Sequence, residues 1–329
     1  MVPANIWFWF GFIAFVLMML ALDLGVFHRR AHEVGLKEAA IWTAIWVALA
    51  LAFAGGLHLA VGRHAALTFL TGYVIEEALS ADNIFVMVLI FEYFRVPRSS
   101  QHRVLFYGIL GALVMRGAFI AAGTALITRF HWILYIFGGL LVVTGIRMAI
   151  RSDEEFDGEK SRIVRGLRRV LPLSDRYHDG SFMILEHGRR LATPLLLVLI
   201  LVEATDLVFA IDSIPAIFGV TTDPFIVYTS NIFAVMGLRS LYFLLAAVVD
   251  RFHLLKYGLA LILTFVGFKM LSENWLDIDI ALSLAIIVSV LAISIIASLV
   301  WTKDRQQEPP RPPPPPPTAP PAPPPPASR

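Results

Sequence analysis

Val202-Glu-Ala-Thr-Asp-Leu-Val-Phe-Ala-Ile-Asp-Ser-Ile-Pro215 sets three carboxylates, Glu203, Asp206 and Asp212, and a proline inside an apolar run from Leu191 to Val220. A run of that length is enough to cross a bilayer as a helix. One acid at the centre of a membrane helix costs about 2.5–3.5 kcal/mol on insertion scales. Three in one helix need a compensating purpose, and intramembrane acids by default mark an ion or proton path.

The rest of the chain is of the same character. Its 329 residues are 57% hydrophobic and 16% charged, with a mean hydropathy of +0.73. Such a composition defines an all-α polytopic membrane protein, because a soluble domain carries more charge. The continuous apolar runs also exclude a β-barrel, whose strands are short and alternating. The formal charge of +2 says less than where the positive residues sit. There is no cysteine, so disulfides, thiolate metal sites and cysteine nucleophiles are excluded. The N-terminal run from Asn5 to Phe27 lacks a basic leader and is too long for a signal peptide, so it is expected to be a retained first helix.

Spanning-length runs fall at 5–27, 38–61, 66–92, 104–127, 132–150, 191–219, 226–249, 255–272 and 279–301, nine in all. Lys and Arg alternate between the connections. Arg29, Arg30 and Lys37 follow the first run, Arg95, Arg98 and Arg103 the third, and Arg251 and Lys256 the seventh. The 151–190 segment holds most of the rest, whereas Arg63 and Arg129 stand alone after the second and fourth. The expected orientation is N-terminus outside and C-terminus cytoplasmic, in a bacterial inner membrane. Six segments follow: two helices over 1–65, three over 66–150, a charged cytoplasmic loop over 151–190, three helices over 191–272, a last helix over 273–303, and a tail over 304–329. The basic run Arg162–Arg169 reads as an orientation signal rather than a lipid or nucleic-acid site. Beyond Pro309 the tail is almost entirely proline, an extended coil without a core.

The two three-helix units share a pattern. Glu76-Glu77-Ala-Leu-Ser80-Ala-Asp82-Asn83 in the third run matches Asp206-Leu-Val-Phe-Ala-Ile-Asp212-Ser213 in the sixth. Arg116 corresponds to Arg239, and Tyr135, Gly145, Arg147 and Met148 correspond to Tyr257, Gly267, Lys269 and Met270. Three helices per unit make the second copy enter from the opposite face, an inverted repeat of the kind that supports alternating access.

On a helix Glu76, Ser80 and Asn83 share a face, as do Asp206, Ala210 and Ser213. Asp82 and Asp212 point about 120° from the first acid of their sets. Pro215 has no amide hydrogen, so a helix opened there could offer the Ile211 carbonyl beside Asp212. Two such helices meeting at mid-membrane would gather Glu76, Asp82, Glu203, Asp206 and Asp212, with Asn83 and Ser213 as neutral oxygens. An all-oxygen anionic set suits hard divalent cations such as Mn²⁺, Mg²⁺ or Ca²⁺. The competing reading is structural pairing with Arg116 and Arg239, but two arginines do not neutralise six acids, Glu77 included. Orienting or gating the acids is the expected role of both arginines, and Glu77 and Pro215 are supporting residues. Ser213 has no histidine near it in sequence and no His-rich metal motif is present, so the chain is not expected to be an enzyme.

These stretches resemble the TerC family of membrane proteins, named for tellurium resistance and including the Alx proteins. The resemblance is carried by Leu22-Asp23-Leu-Gly-Val-Phe-His-Arg, by Glu77-Ala-Leu-Ser-Ala-Asp-Asn-Ile-Phe-Val, by Glu203-Ala-Thr-Asp-Leu-Val-Phe-Ala-Ile-Asp-Ser-Ile-Pro-Ala, and by Ile226 through Leu245. It implies a protein of metal homeostasis that exports Mn²⁺, with Glu76, Asp82, Glu203, Asp206 and Asp212 as the acidic metal-site residues. Mn²⁺ or another divalent cation is then a transported substrate, with no tightly bound cofactor, protons as a conceivable counter-ion, and no nucleic-acid partner. The alternative is a non-transporting assembly or stress factor acting through the 151–190 loop and the tail.

Overall fold

The structure is a computed structural model, described here for residues 6–27, 35–150, 164–166, 172, 174, 176–178, 180–186, 189–247, 254–276 and 278–305, without the side chains of 22–27 and 301–305. The basic run Arg162–Arg169 apart from Val164–Gly166, the proline tail and the Asp23 side chain lie outside the described residues.

Among the described residues nine helices of 17 residues or more follow one another: α1 (Ile6–Phe27), α2 (Leu36–Ala60), α3 (Arg63–Tyr93), α4 (Arg98–Arg129), α5 (Ile133–Ile150), α6 (Pro194–Phe218), α7 (Pro224–Ala246), α8 (Leu255–Leu271) and α9 (Ile280–Arg305). By length and composition alone, α2, α4, α5, α6, α7 and the Ile280–Val300 stretch of α9 can each cross a membrane. The 31-residue α3 carries the acids Glu76, Glu77 and Asp82 in its middle. Against the all-helical expectation, β1 (Met183–Glu186) and β2 (Arg189–Ala192) form a short antiparallel hairpin at the end of the 151–190 segment, and β2 takes Leu191 and Ala192 out of the expected sixth run, whose helix starts at Pro194.

Helix ends follow local chemistry. Asp223 caps α7 by accepting from the amides of Phe225 and Ile226, at 3.0 and 3.4 Å, and Pro224 takes the first helical position, where no amide is needed. Pro194 likewise opens α6. The Thr193 hydroxyl before it donates instead to the Ser181 and Phe182 carbonyls, tying the hairpin to the helix. Between α3 and α4, Arg95 takes φ 51°, a left-handed turn that lets the Val96 amide reach back to the Phe91 carbonyl at 2.9 Å.

Two expectations meet a different outcome here. α4 starts at Arg98 rather than 104, because its hydrophilic first turns continue the helix below the apolar run. The expected opening at Pro215 is absent, as α6 runs unbroken from Pro194 to Phe218. A proline removes one ladder bond, and neighbouring helices can hold the remaining turn closed.

Packing divides into three regions. α1, α2, α3 and α7 bury an aromatic cluster that includes Phe12, Phe53, Phe69, Phe225 and Phe233. α3, α5, α6, α8 and α9 enclose a second core around Leu141, Ile217, Leu263 and Ile287. α3, α4, α6 and α7 form the third, which the loop residues Val164, Tyr177 and Phe182 join. α3 packs on α6 and α7, α6 on α3 and α4, and α5 runs along α8.

The α5–α8 pair is the tightest crossing. A Cβ on Gly138 would lie 3.0 Å from the Gly267 carbonyl oxygen, and one on Gly267 would lie 2.7 Å from that of Gly138. A Cβ on Gly145 would meet the Ala260 carbonyl oxygen at 2.7 Å. Backbone touches backbone at both levels, as small residues permit in membrane helices.

Candidate functional site

Glu76 and Asp206, in the middle of α3 and α6, are 0% and 4% exposed. The sequence puts them there because each is flanked by apolar residues on the other faces of its helix, so burying the helix buries the acid. Arg116 of α4, 1% exposed, lies between them. Its guanidinium donates to Asp206 through Nε to Oδ2 at 3.3 Å and Nη2 to Oδ1 at 3.0 Å, and through Nη1 to Glu76 Oε1. The planar fork matches a carboxylate edge on, which is why arginine rather than lysine suits this position. The Asn83 amide donates to Asp206 Oδ1 at 3.3 Å from the α3 side. One buried cation is thus shared by two buried anions from helices 130 residues apart in sequence (76 and 206).

The face predicted for α3, with Glu76, Ser80 and Asn83, is buried throughout, and so is the Asp206, Ala210 and Ser213 face of α6. Several oxygens on these faces have no hydrogen-bond partner: Glu76 Oε2, Asn83 Oδ1 and Ser213 Oγ. Glu203 Oε2 is in the same position, one turn before Asp206. Buried acceptors without partners are costly, and they are all oxygen.

Glu203 and Asp206 share the wall of a small cavity with Met87, Ile109, Val202 and Arg239. Glu203 owes its seat to Gly111 of α4, because a Cβ there would stand 2.5 Å from Oε2 and closer still to Oε1 and Cδ. Arg239, 8% exposed, faces the cavity from α7.

Asp212 and Glu203 have other neighbours than Arg116. Asp212, half-buried, accepts from Thr144 Oγ1 of α5 at 3.1 Å. Asp82 is also half-buried, as its offset around the helix requires. Glu77 is half-buried with its Oε2 unpartnered. Among the described residues no three acidic or histidine side chains converge as a metal-holding group. Of the five acids expected to gather, two meet on Arg116, Glu203 lies over Gly111 and Asp212 against α5.

Three residues that hold an acid or are buried without partners escaped the sequence. Thr144 and Gly111 hold acids from other helices, and Asn231 of α7 is 0% exposed with both amide atoms unpartnered. Only Asn231 carried a sequence signal, an amide in the centre of an apolar helix.

A helical membrane protein with a buried ion-pair cluster between two packed acid-bearing helices is the class this geometry defines. Residues 61–307 match the Integral membrane protein TerC family, and the chain belongs to it. A membrane protein of Myxococcus xanthus, STKORF319, is 52% identical over 89% of this chain and 92% of its own length. Alx of Salmonella typhi, which carries the provisional name of a membrane-bound redox modulator, is 50% identical over 88% of this chain and 92% of its own. Alx of Escherichia coli K12 is 48% identical over 91% of this chain and 96% of its own. No solved structure matches.

Proposed function

We propose that this chain is an inner-membrane transporter of divalent cations, most simply an exporter of Mn²⁺, working by alternating access with its N-terminus outside and its C-terminus cytoplasmic. The observation that carries the reading is the pair Glu76 and Asp206, one from each acid-bearing helix, buried with Arg116 between them. Arg116 by itself does not balance two carboxylates, and Glu76 Oε2, Asn83 Oδ1, Ser213 Oγ and Glu203 Oε2 are unpartnered oxygens, the ligands of hard cations. Mn²⁺ is written here as cargo. It would be held by Glu76 and Asp206, with Asn83 and Ser213 as neutral oxygens, and passed by Asp82, Glu203 and Asp212.

All nine long helices are read as spans, and α3–α5 and α6–α8 as an inverted repeat. The packing supports this reading. If residues of α5 correspond to residues 122 further on, Gly138 pairs with Ala260 and Gly145 with Gly267. The Gly138–Gly267 contact then maps onto the contact between Ala260 and Gly145, and both occur. α3 on α7 likewise mirrors α6 on α4. Two similar units that meet about such an axis can rock against each other around a fixed site.

The test is Mn²⁺ efflux in cells and in vesicles holding the purified protein. Asp206→Asn and Asp212→Asn are expected to abolish export while inserting normally. Unchanged Mn²⁺ content and tolerance in correctly inserted variants would remove the proposal. With no cysteine in the sequence, any redox effect of this chain would act through the ion it moves rather than through a dithiol.

The docked loop favours a second reading. Tyr177 donates to the Phe94 carbonyl at 2.7 Å, Arg103 donates to that of Gly180 at 2.8 Å, and Phe182 stacks edge-on against Tyr107. A surface organised this way could serve an assembly factor. That reading requires deletion of the loop to matter more than substitution of the acids.

A further inference from the structure

We propose that Arg116 is a built-in counter-cation, which takes the transported ion's place on Glu76 and Asp206 and lets the empty carrier reset without a second ion. The proposal rests on the transport reading above. Arg116 occupies both oxygens of Asp206 and one of Glu76. A divalent cation bridging these carboxylates can use the open Glu76 Oε2 but finds both Asp206 oxygens taken, so at Asp206 cation and guanidinium compete. Arginine keeps its proton in proteins, so its charge is permanent and the filler is always available.

Without a filler, two carboxylates would face a low-dielectric interior during the return step, which is strongly disfavoured. A carrier of that kind must wait for protons or another metal ion before it turns over. Arg116 removes the wait.

The displaced guanidinium also has a second seat. Glu203 lies three residues before Asp206, is lodged against Gly111 on Arg116's own helix, and has an unpartnered buried Oε2. A swing of Arg116 from Asp206 towards Glu203 frees the pair and satisfies that oxygen. Glu203 is then the arginine's partner while the ion sits on Glu76 and Asp206.

The experiment compares two modes of Mn²⁺ movement by the full chain in liposomes. Exchange is read with tracer Mn²⁺ and Mn²⁺ on both sides, so no empty carrier returns. Net transport is read into Mn²⁺-free lumen with equal pH on both sides and the voltage clamped by potassium and valinomycin. In Arg116→Gln the ratio of net transport to exchange should fall at least about tenfold. Its half-saturating Mn²⁺ concentration should also fall, because the internal competitor is gone. Arg116→Lys should restore part of the ratio.

Equal loss of both modes in a folded Arg116→Gln variant, or weaker Mn²⁺ saturation, overturns the proposal. Should that variant fail to fold, the unsubstituted protein decides. Its net transport is expected to carry two charges per Mn²⁺ with no proton counter-flow, and proton counter-flow measured by a lumenal pH dye refutes the role of Arg116. If the unsubstituted protein shows neither mode, it is the transport reading itself that falls.

Discussion

Gly111 and Gly108 lie one turn apart on α4 and face the same helix, yet an added methyl group meets very different neighbours. At Gly108 the nearest atom would be Val202 Cγ1 at 3.6 Å, an ordinary contact. At Gly111 the methyl would fall within 2.5 Å of the whole Glu203 carboxylate, so the nearest oxygen must retreat by about 1.3 Å to reach ordinary contact. Alanine gains about 1 kcal/mol over glycine inside a helix. Overfilling a packed site costs about 1–3 kcal/mol. Gly108→Ala should therefore stabilise by about 1 kcal/mol, whereas Gly111→Ala should be neutral or destabilised by up to about 2 kcal/mol. Thermal unfolding of the two purified variants in one detergent measures the difference, and Mn²⁺ transport reports the displaced carboxylate. Identical unfolding and identical transport in the two variants would mean that Glu203 does not sit against Gly111, and the site geometry would be wrong.

Gly267→Ala should be far more damaging, because its methyl meets the Gly138 carbonyl and the Val142 amide, which are backbone atoms without rotamers; low yield and aggregated elution from size exclusion are expected, with a cost above about 3 kcal/mol. Asn231→Ala removes two unpartnered buried amide atoms, so unfolding should shift towards higher temperature by about 1 kcal/mol while Mn²⁺ transport declines; a variant losing stability contradicts the assignment. Tyr177→Phe loses its bond to the Phe94 carbonyl, and subtilisin should then cut the 172–192 segment faster with the helices intact. Burial pushes the Tyr177 phenol up to about 12 from an ordinary 10. The folded state therefore prefers the neutral phenol, so the tie is complete below pH 10 and is lost as pH rises towards 12, visible as faster cutting in that window.

The helices were legible because an apolar run in lipid has few alternatives, and each of the nine runs overlaps one of the long helices among the described residues. What hydropathy misses is helix outside lipid. Arg98-Ser-Ser-Gln-His-Arg is too polar to be counted, yet it forms the first turns of α4. The hairpin was invisible for the same reason, since its pairing depends on Thr193 and on contacts with the α3–α4 turn rather than on its own apolar content. In the site, spacing alone identified the buried faces of α3 and α6. It could not tell which acid would find the arginine, because helix phase fixes direction but not what stands opposite. Thr144 was hidden by its type. A threonine in an apolar helix usually bonds its own preceding turn, as Thr43, Thr68 and Thr71 do here, and only the approach of α6 reveals that this one serves Asp212.

The glycine crossing of α5 and α8 has a mechanical consequence. With backbone against backbone at Gly138–Gly267 and at Gly145–Ala260, a tilt of the two helices against each other has only a few neighbouring side chains to move, Val142 and Thr264 among them. Displacement is smallest there and grows with distance along each helix. Spin labels near Gly138 and Gly267 should therefore report almost constant separation through a transport cycle. Pairs at the far ends of α5 and α8 should report the largest change.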